Sequence, residues 1–178
     1  MGYPMARNLL RAGHEVALWS HSAGKARELA EAEKGRFCAT PKEVAENADC
    51  IFLCVGDTAM SRELILGQNG IIEGVQPGKV VADASTVSPS ESRKIGQALA
   101  AKGVDFLDAP CTGSKPGAEG GTLTFMIGGS REVFERVRRQ PLGLPGPAHD
   151  DEIAAASMGG QALERIVLLL AKARGYVL

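Results

Sequence analysis

The sequence predicts an α/β fold with a doubly wound, mainly parallel sheet. Short apolar runs of strand length begin near residues 15, 50, 79, 104 and 123, and helical patterns lie between most of them. This alternation favours βαβ units, whose helices cross over both faces of a parallel sheet. Aromatic residues make up only 4% of the 178 residues, so Val, Ile, Leu and Ala must fill the core, as is usual in parallel sheets.

The chain opens with a helix, a strand and a second helix. Residues 1–12 predict a helix with Pro4 in its first turn, where a missing N–H costs little. Residues 15–20 predict a strand, and Ser22 is a candidate cap for a helix through Glu31. No strand precedes the first helix, so the sheet is expected to lack its first strand.

Capping boxes and apolar runs predict the helices and strands in the middle of the chain. Residues 40–43 (Thr-Pro-Lys-Glu) and 88–91 (Ser-Pro-Ser-Glu) each begin a helix. Residues 50–55 (Cys-Ile-Phe-Leu-Cys-Val) are a continuous apolar run, typical of a strand buried on both faces. A helix over residues 58–66, strands over 79–83, 104–107 and 123–127, and a helix capped by Ser130 complete this part.

Residues 108–124 are the strongest candidate ligand site. The segment lies between two predicted strands, and its glycines allow backbone N–H groups to approach an anion closely. Thr112 and Ser114 add hydroxyl groups able to hold a carboxylate. A flexible surface turn is the alternative that composition leaves open.

Charge and composition narrow the range of partners. The formal net charge of −1 gives no electrostatic reason to expect nucleic acid or an acidic membrane surface. The longest apolar run, residues 166–171, is much shorter than the ~20 residues of a membrane helix. A small-molecule partner is therefore expected.

The cysteines show no zinc or redox spacing, so we expect no metal. Cys50 and Cys54 are expected to be small buried side chains, and nothing beside Cys111 in the sequence marks it as activated. Reduced thiols indicate a cytoplasmic protein, with an organelle matrix as the alternative.

The composition changes after Arg139. Residues 140–147 contain three prolines and two glycines and predict a linker. Residues 151–157 and 161–174 can each be helical. We therefore expect one domain over residues 1–139, followed by a linker and short helical tail over residues 140–178, too short for a second domain.

Four stretches resemble the β-hydroxyacid dehydrogenase family, which includes 3-hydroxyisobutyrate dehydrogenase and glyoxylate and succinic semialdehyde reductases. They are residues 1–9 with Gly13-His14, residues 53–57, residues 83–89 and residues 108–123, in the family's order and spacing. The resemblance implies a Rossmann-like, NAD(P)-dependent oxidoreductase that interconverts a small 3-hydroxyacid and a semialdehyde.

The resemblance also implies roles for individual residues. The cofactor pyrophosphate would lie at the N-terminus of the first helix, with Gly2 as the third fingerprint glycine. The implied cofactor-binding residues are Gly2, Tyr3, Pro4, Met5, Val55, Gly56, Asp57, Ser85 and Thr86. The substrate carboxylate would be held by Thr112, Gly113 and Ser114. For Ser85 and Thr86, a simple turn and cap before Pro89 is the alternative.

Residues 19–25 bear on the choice of cofactor. They contain no acidic residue where NAD enzymes usually bind the ribose hydroxyls. We therefore expect NADP rather than NAD, with Ser20, His21, Ser22 and Lys25 as candidate phosphate contacts. For His21, a solvated loop position is an equal alternative.

The sequence departs from the family at both ends. The family's first strand and first two fingerprint glycines would precede Met1, and residues 139–178 lack its catalytic lysine pattern. Neither Lys115 nor Lys172 has the expected neighbours, so no catalytic residue is identified. A truncated dehydrogenase with weak or no NADPH affinity and no turnover is expected. Two alternatives remain. One is a non-catalytic NADP-binding or oligomerisation module, which could form a homo-oligomer, and the other is a truncated reading frame whose product does not fold stably.

Overall fold

A nine-stranded mixed sheet is the centre of the molecule. The computed structural model describes residues 1–139, 154–157 and 165–170. The strands are β1 (Glu15–Ser20), β2 (Arg36–Phe37), β3 (Cys50–Cys54), β4 (Val80–Asp83), β5 (Asp105–Asp108), β6 (Cys111–Thr112), β7 (Thr124–Gly129), β8 (Ala154–Ser157) and β9 (Arg165–Leu170). Their order is β2-β1-β9-β3-β4-β5-β7-β6, and β8 pairs with β7. All pairs from β2 to β5 are parallel, whereas β7 is antiparallel to its three neighbours.

Helices cover both faces of this sheet. They are α1 (Gly2–Arg11), α2 (Ala23–Glu33), α3 (Pro41–Glu46), α4 (Thr58–Leu66), α5 (Ile71–Gly74), α6 (Pro89–Ala100), α7 (Ser114–Gly120) and α8 (Arg131–Arg139). Phe52 joins an apolar cluster with α1, α2 and α8, while Ile51 and Leu53 join a second cluster with α3 to α6. Successive side chains of β3 therefore fill opposite layers, as expected for a strand buried on both faces.

The predicted fold class is confirmed. The five strands expected near residues 15, 50, 79, 104 and 123 begin at Glu15, Cys50, Val80, Asp105 and Thr124. The glycine segment is more ordered than expected, because it contains the short strand β6 and the helix α7.

Most of the expected helix caps are present. The Thr40 and Ser88 hydroxyls accept hydrogen bonds from the amides of Glu43 and Glu91, at 3.1 and 3.3 Å. The Ser130 hydroxyl likewise accepts from the amide of Val133 at 3.4 Å. The expectation for Ser22 is wrong: it occupies the N-cap position of α2, but its side chain makes no capping hydrogen bond.

The prediction of helices over residues 151–157 and 161–174 is wrong wherever the structure describes those residues. Residues 154–157 form β8 and residues 165–170 form β9. A short apolar run fits a buried strand as well as a helix, and periodicity alone does not separate the two. The predicted linker over residues 140–147 lies outside the described residues, as do the remaining parts of the tail.

Strand β9 lies between β1 and β3 in the sheet, where no strand is expected from the sequence. It pairs in parallel with β1 along its whole length, from Glu15↔Arg165 to Ser20↔Leu170. It also pairs in parallel with β3, from Cys50↔Ile166 to Cys54↔Leu170. The facing edges of β1 and β3 are therefore both paired within the same chain, so neither presents the unpaired backbone donors and acceptors of an open edge.

Candidate functional site

The candidate site lies along one edge of the parallel sheet. Strands β1, β9, β3, β4 and β5 all run in the same direction, so their carboxyl ends meet at this edge. Helix α1 is joined to β1 by a connection of only three residues, 12–14. The N-terminus of α1 therefore lies at the edge where β1 ends. Open α/β sheets bind ligands beyond the carboxyl ends of their strands.

The first turn of α1 can hold an anion. No side chain caps this N-terminus, so its first amides have no side-chain acceptor. Such amides, together with the helix dipole, favour negative charge. Gly2 and Pro4 are buried and Tyr3 is partly buried, while Met5 is only 2% exposed within the core. The Met5 side chain is thus a packing group, and its backbone is the part nearest to the edge.

A buried hydrogen-bond network joins the ends of β3 and β4. The carboxylate of Asp83 accepts hydrogen bonds from the Ser61 hydroxyl and, at 2.8 Å, from the Ser85 amide. The Ser85 hydroxyl in turn accepts from the Val55 amide at 2.9 Å. Burial raises the pKa of Asp83, and the hydrogen bonds from Ser61 and Ser85 partly oppose that rise. The network fixes Ser85 beside the backbone of Val55, at the tip of β3.

The residues that follow β3 and β4 differ in exposure and in hydrogen bonding. Asp57 caps α4, because its Oδ1 atom accepts from the Met60 amide at 2.8 Å. Gly56 and Thr86 are exposed at the ends of their strands. Ser85 is buried and bonded to the β3 loop, and Ser88 rather than Ser85 caps α6. Ser85 therefore does more than form a turn before Pro89.

The end of β1 carries the residues expected to select the cofactor. The Ser20 hydroxyl is buried and accepts from the Ser22 amide at 3.2 Å. His21 is exposed, and its ring meets that of Trp19 edge to face at 6.5 Å. Lys25 is exposed on the first turn of α2. An incoming phosphate therefore meets neutral or basic side chains at this strand end.

The glycine segment follows β5, whose carboxyl end lies at the same edge of the sheet. Thr112, Gly113 and Ser114 are exposed where β6 passes into α7. Gly113 has a φ of 122°, and a Cβ there would lie 3.1 Å from the Leu123 side chain, so this position requires glycine. The Asn8 side chain donates to the carbonyl of Ala118 at 2.8 Å and thereby fastens α7 to α1.

Two lysines bear on proton transfer. Lys115 is exposed on α7 and forms an ion pair with Glu119, with Nζ 3.5 Å from the carboxylate oxygen. Lys172 lies outside the described residues. Lys115 is therefore engaged at the surface of α7.

The described residues fit part of a dinucleotide. Unpaired amides at the N-terminus of a helix favour a phosphate group, and open α/β sheets bind dinucleotides beyond the carboxyl ends of their strands.

The described residues contain neither a metal-binding cluster nor a membrane-spanning helix. No grouping of His, Cys, Asp and Glu there is arranged to hold a metal ion. None of the helices described is both long enough and apolar enough to span a bilayer.

Sequence reasoning missed Asp83, Ser61 and Asn8. Asp83 had one signal, a carboxylate at the end of an apolar strand, which is costly to bury unless it is hydrogen-bonded. Ser61 and Asn8 had none, because each contacts residues far away in the sequence. The contact between Cys54 and Cys111, described below, was also missed.

The fold and the site together define a pyridine-nucleotide-binding α/β domain. A family described as the NAD binding domain of 6-phosphogluconate dehydrogenase matches residues 1–140. The chain belongs to this family, and within it to the β-hydroxyacid dehydrogenases, as its motifs predicted.

Individual relatives agree with this placement. The 2-hydroxy-3-oxopropionate reductase of Escherichia coli (strain K12) is 38% identical over 138 residues, which are 78% of this chain and 47% of the reductase. The cytokine-like nuclear factor N-PAC of Danio rerio is 37% identical over 135 residues, 76% of this chain and 29% of that protein. The crystal structure of 3-hydroxyisobutyrate dehydrogenase from Salmonella typhimurium superposes with a TM-score of 0.71 at 30% identity, covering 77% of this chain and 47% of that one. The chain thus spans about half the length, or less, of these relatives.

Proposed function

We propose that this chain is the cofactor domain of an NAD(P)-dependent oxidoreductase acting on a small 3-hydroxyacid or its semialdehyde. One observation carries the proposal: the N-terminus of α1 and the ends of β1, β3 and β4 meet at one edge of the sheet. Bound NAD(P) would accept or give a hydride at its nicotinamide ring. The chain's part is to hold the cofactor and orient the substrate.

Each part of this edge has a separate role in the proposal. The α1 amides at Gly2 and Tyr3 bind the pyrophosphate, because they lack side-chain acceptors. Val55, Gly56 and Ser85, held by the Asp83 network, line the nicotinamide end. Asp57 and Thr86 border the same end, and Pro4 and Met5 support the first turn of α1 from the core. Thr112, Gly113 and Ser114 bind the substrate carboxylate through exposed hydroxyl and amide groups.

The proposal includes a preference for NADP over NAD. The positions that support it are Ser20, His21, Ser22 and Lys25, which offer hydroxyl, imidazole and ammonium groups and no carboxylate. A carboxylate beside the 2′-phosphate would repel it, whereas the ribose hydroxyls of NAD would accept one.

Adding a negative charge at position 21 tests the preference for NADP. His21→Asp should lower the affinity for NADP⁺ roughly tenfold relative to NAD⁺, which corresponds to about 1.4 kcal/mol. Isothermal titration at millimolar nucleotide measures both affinities. Gln97→Glu, which adds the same charge on the exposed surface of α6, is the matched control. An unchanged ratio in His21→Asp, or an equal change in the control, would contradict the assignment.

Oxidising a hydroxyl group also requires a group that takes its proton. In the described residues no side chain stands out for this role, and Lys115 is paired with Glu119 at the surface. We therefore expect no turnover of 3-hydroxyisobutyrate, glyoxylate or succinic semialdehyde by this chain. An NADP-linked rate that disappears in Thr112→Ala would refute this expectation.

The same observation favours a second candidate, an NADP-binding or self-associating module without catalysis. Because no turnover is expected for the first candidate either, substrate binding separates the two. Nucleotide affinity that stays the same when each substrate is added, with no binding of the substrate itself, would support the second candidate. Both candidates fit a cytoplasmic protein, since all four cysteines are free thiols.

A further inference from the structure

We propose that Cys54 and Cys111 form a dithiol pair that peroxide converts into a reversible disulfide beside the candidate site. The proposal does not depend on whether the chain binds a nucleotide. It rests on where the sheet places the two residues and on the contact between their sulfur atoms.

The strand register brings the two cysteines together. Phe52 and Cys54 are two residues apart on β3, so their side chains lie on the same face of the sheet. The Phe52 ring meets the Phe125 ring of β7 edge to face at 5.4 Å. Phe125 is the register partner of Cys111 across β6 and β7. Both cysteines accordingly pack against the same apolar cluster.

The two side chains lie within hydrogen-bonding range of each other, and the acidities of the two thiols differ. A hydrogen bond from Cys54 lowers the pKa of Cys111 to about 7. The same hydrogen bond, together with burial, raises the pKa of Cys54 well above its usual value. The negative charge of Asp83 raises the pKa of Cys54 further. Cys111 is therefore the nucleophilic thiolate, and Cys54 is the protonated partner beside it.

The other two cysteines do not share these properties. Burial raises the pKa of Cys38 to about 11 and that of Cys50 to about 12. Both are buried in the core, whereas Cys54 and Cys111 are partly exposed. Reactivity follows thiolate character and access, so oxidation should be confined to the Cys54–Cys111 pair.

The reaction with hydrogen peroxide balances in two steps. The Cys111 thiolate attacks one peroxide oxygen and the O–O bond breaks. Hydroxide leaves and takes up a proton to become water, and Cys111 becomes a sulfenic acid. The Cys54 sulfur then attacks the Cys111 sulfur, and the S–O bond breaks. Water leaves with the Cys54 proton, so the two thiols have given two electrons to peroxide.

The disulfide would join two parts of the candidate site. Cys54 directly precedes Val55 at the end of β3, and Cys111 directly precedes Thr112 in β6. Covalent linkage would fix the loop after β3 to the glycine segment. A thiol reductant would restore the open form.

Peptide mapping of the full chain tests the proposal. After brief treatment with hydrogen peroxide, a digest run without reductant should contain one linked species joining the Cys54 and Cys111 peptides. That species should lack two hydrogen atoms and disappear on adding dithiothreitol. In Cys38→Ser, the matched control, the link should form equally well. Scrambled links that include Cys38 or Cys50, or links only between chains, would overturn the proposal.

Two variants separate the roles of the thiols. Cys54→Ala should leave a sulfenic acid on Cys111 that dimedone traps, and it should move the pH midpoint of Cys111 alkylation above about 7. Cys111→Ser should give neither link nor trapped sulfenic acid. If either variant fails to fold, the alkylation midpoint of the unaltered chain decides: a Cys111 midpoint near that of an ordinary thiol would overturn the proposal.

Discussion

Asp83 joins two strand-end loops of the candidate site. Its carboxylate holds the Ser85 amide and the Ser61 hydroxyl in a buried position, and Ser85 in turn holds the Val55 amide. A buried carboxylate is tolerated because these donors replace the water that it loses. Asp83→Ala would leave buried donors unpaired and should lower the free energy of unfolding by about 1–3 kcal/mol.

The raised pKa of Asp83 gives a pH-dependent prediction. Because the folded state binds this proton more tightly than the unfolded state, the folded chain loses stability as the pH rises above about 4. Asp83→Asn removes that loss, and it also removes the charge that helps to raise the pKa of Asp108. The stability advantage of the unaltered chain over Asp83→Asn should therefore be largest near pH 3 and shrink toward pH 7.

Urea unfolding at several pH values measures this difference. Asp49→Asn, at an exposed carboxylate, is the matched control. If the unfolding free energy of the unaltered chain, measured relative to Asp83→Asn, increased with pH, the account in which burial raises the pKa of Asp83 would be wrong.

At the residue scale, the sequence predicts where a residue lies along an element better than it predicts which distant residue it will contact. Ser85 and Val55 could be placed at strand ends, because the strands that precede them are continuous apolar runs. Their bond to each other spans 30 positions in the sequence. The same limit hid the Cys54–Cys111 contact, which depends on how β6 pairs with β7.

At the element scale, helix starts follow local chemistry. The Thr40 hydroxyl caps α3 and Glu43 reaches back to the Ala39 amide at 2.8 Å, so this start is fixed within a few residues. Such signals are readable in the sequence because donor and acceptor are neighbours in the chain. The Ser22 prediction failed because a serine at the N-cap position is able to cap the helix, but the sequence does not determine which way its side chain points.

Thr40 and Ser22 provide a matched test. Thr40→Ala should lower the free energy of unfolding by about 1 kcal/mol, because the Glu43 amide loses its acceptor. Ser22→Ala should cost less, since the Ser22 side chain makes no capping bond. Denaturant unfolding of both variants measures the difference, and an equal cost at the two sites would refute this account of the caps.

Strand β9 is the element that sequence patterns could not place. A run of aliphatic residues fits a helix or a strand, and only the gap between β1 and β3 decides between them. A chain ending at residue 164 lacks β9, whereas one ending at residue 170 keeps it. The shorter chain should lose several kcal/mol of unfolding free energy, at about 0.5–1.5 kcal/mol for each ladder hydrogen bond.

Hydrogen exchange of the β1 and β3 amides measures where that loss occurs. Protection of those strands should fall in the shorter chain and remain in the longer one. Equal protection in the two chains would show that β9 does not complete the sheet.

At the scale of the whole molecule, topology creates the candidate site. Parallel strands send their ends to one edge, and the short turn after α1 returns the N-terminus of that helix to the same edge. The alternation of elements was sufficient to predict this convergence. It was not sufficient to predict β6 and β8, or that β7 runs antiparallel to its neighbours, because that pairing is set by contacts distant in sequence.

An NMR titration with NADP⁺ tests the central claim most directly, because backbone amide shifts report weak as well as tight binding. Millimolar NADP⁺ should shift the amides of Gly2, Gly56 and Ser85 together, whereas amides at the opposite edge, such as Gly78, should not move. NAD⁺ should produce the same pattern more weakly. No shift at millimolar NADP⁺, or shifts confined to residues away from the carboxyl edge of the sheet, would contradict the assignment of this edge as the nucleotide site.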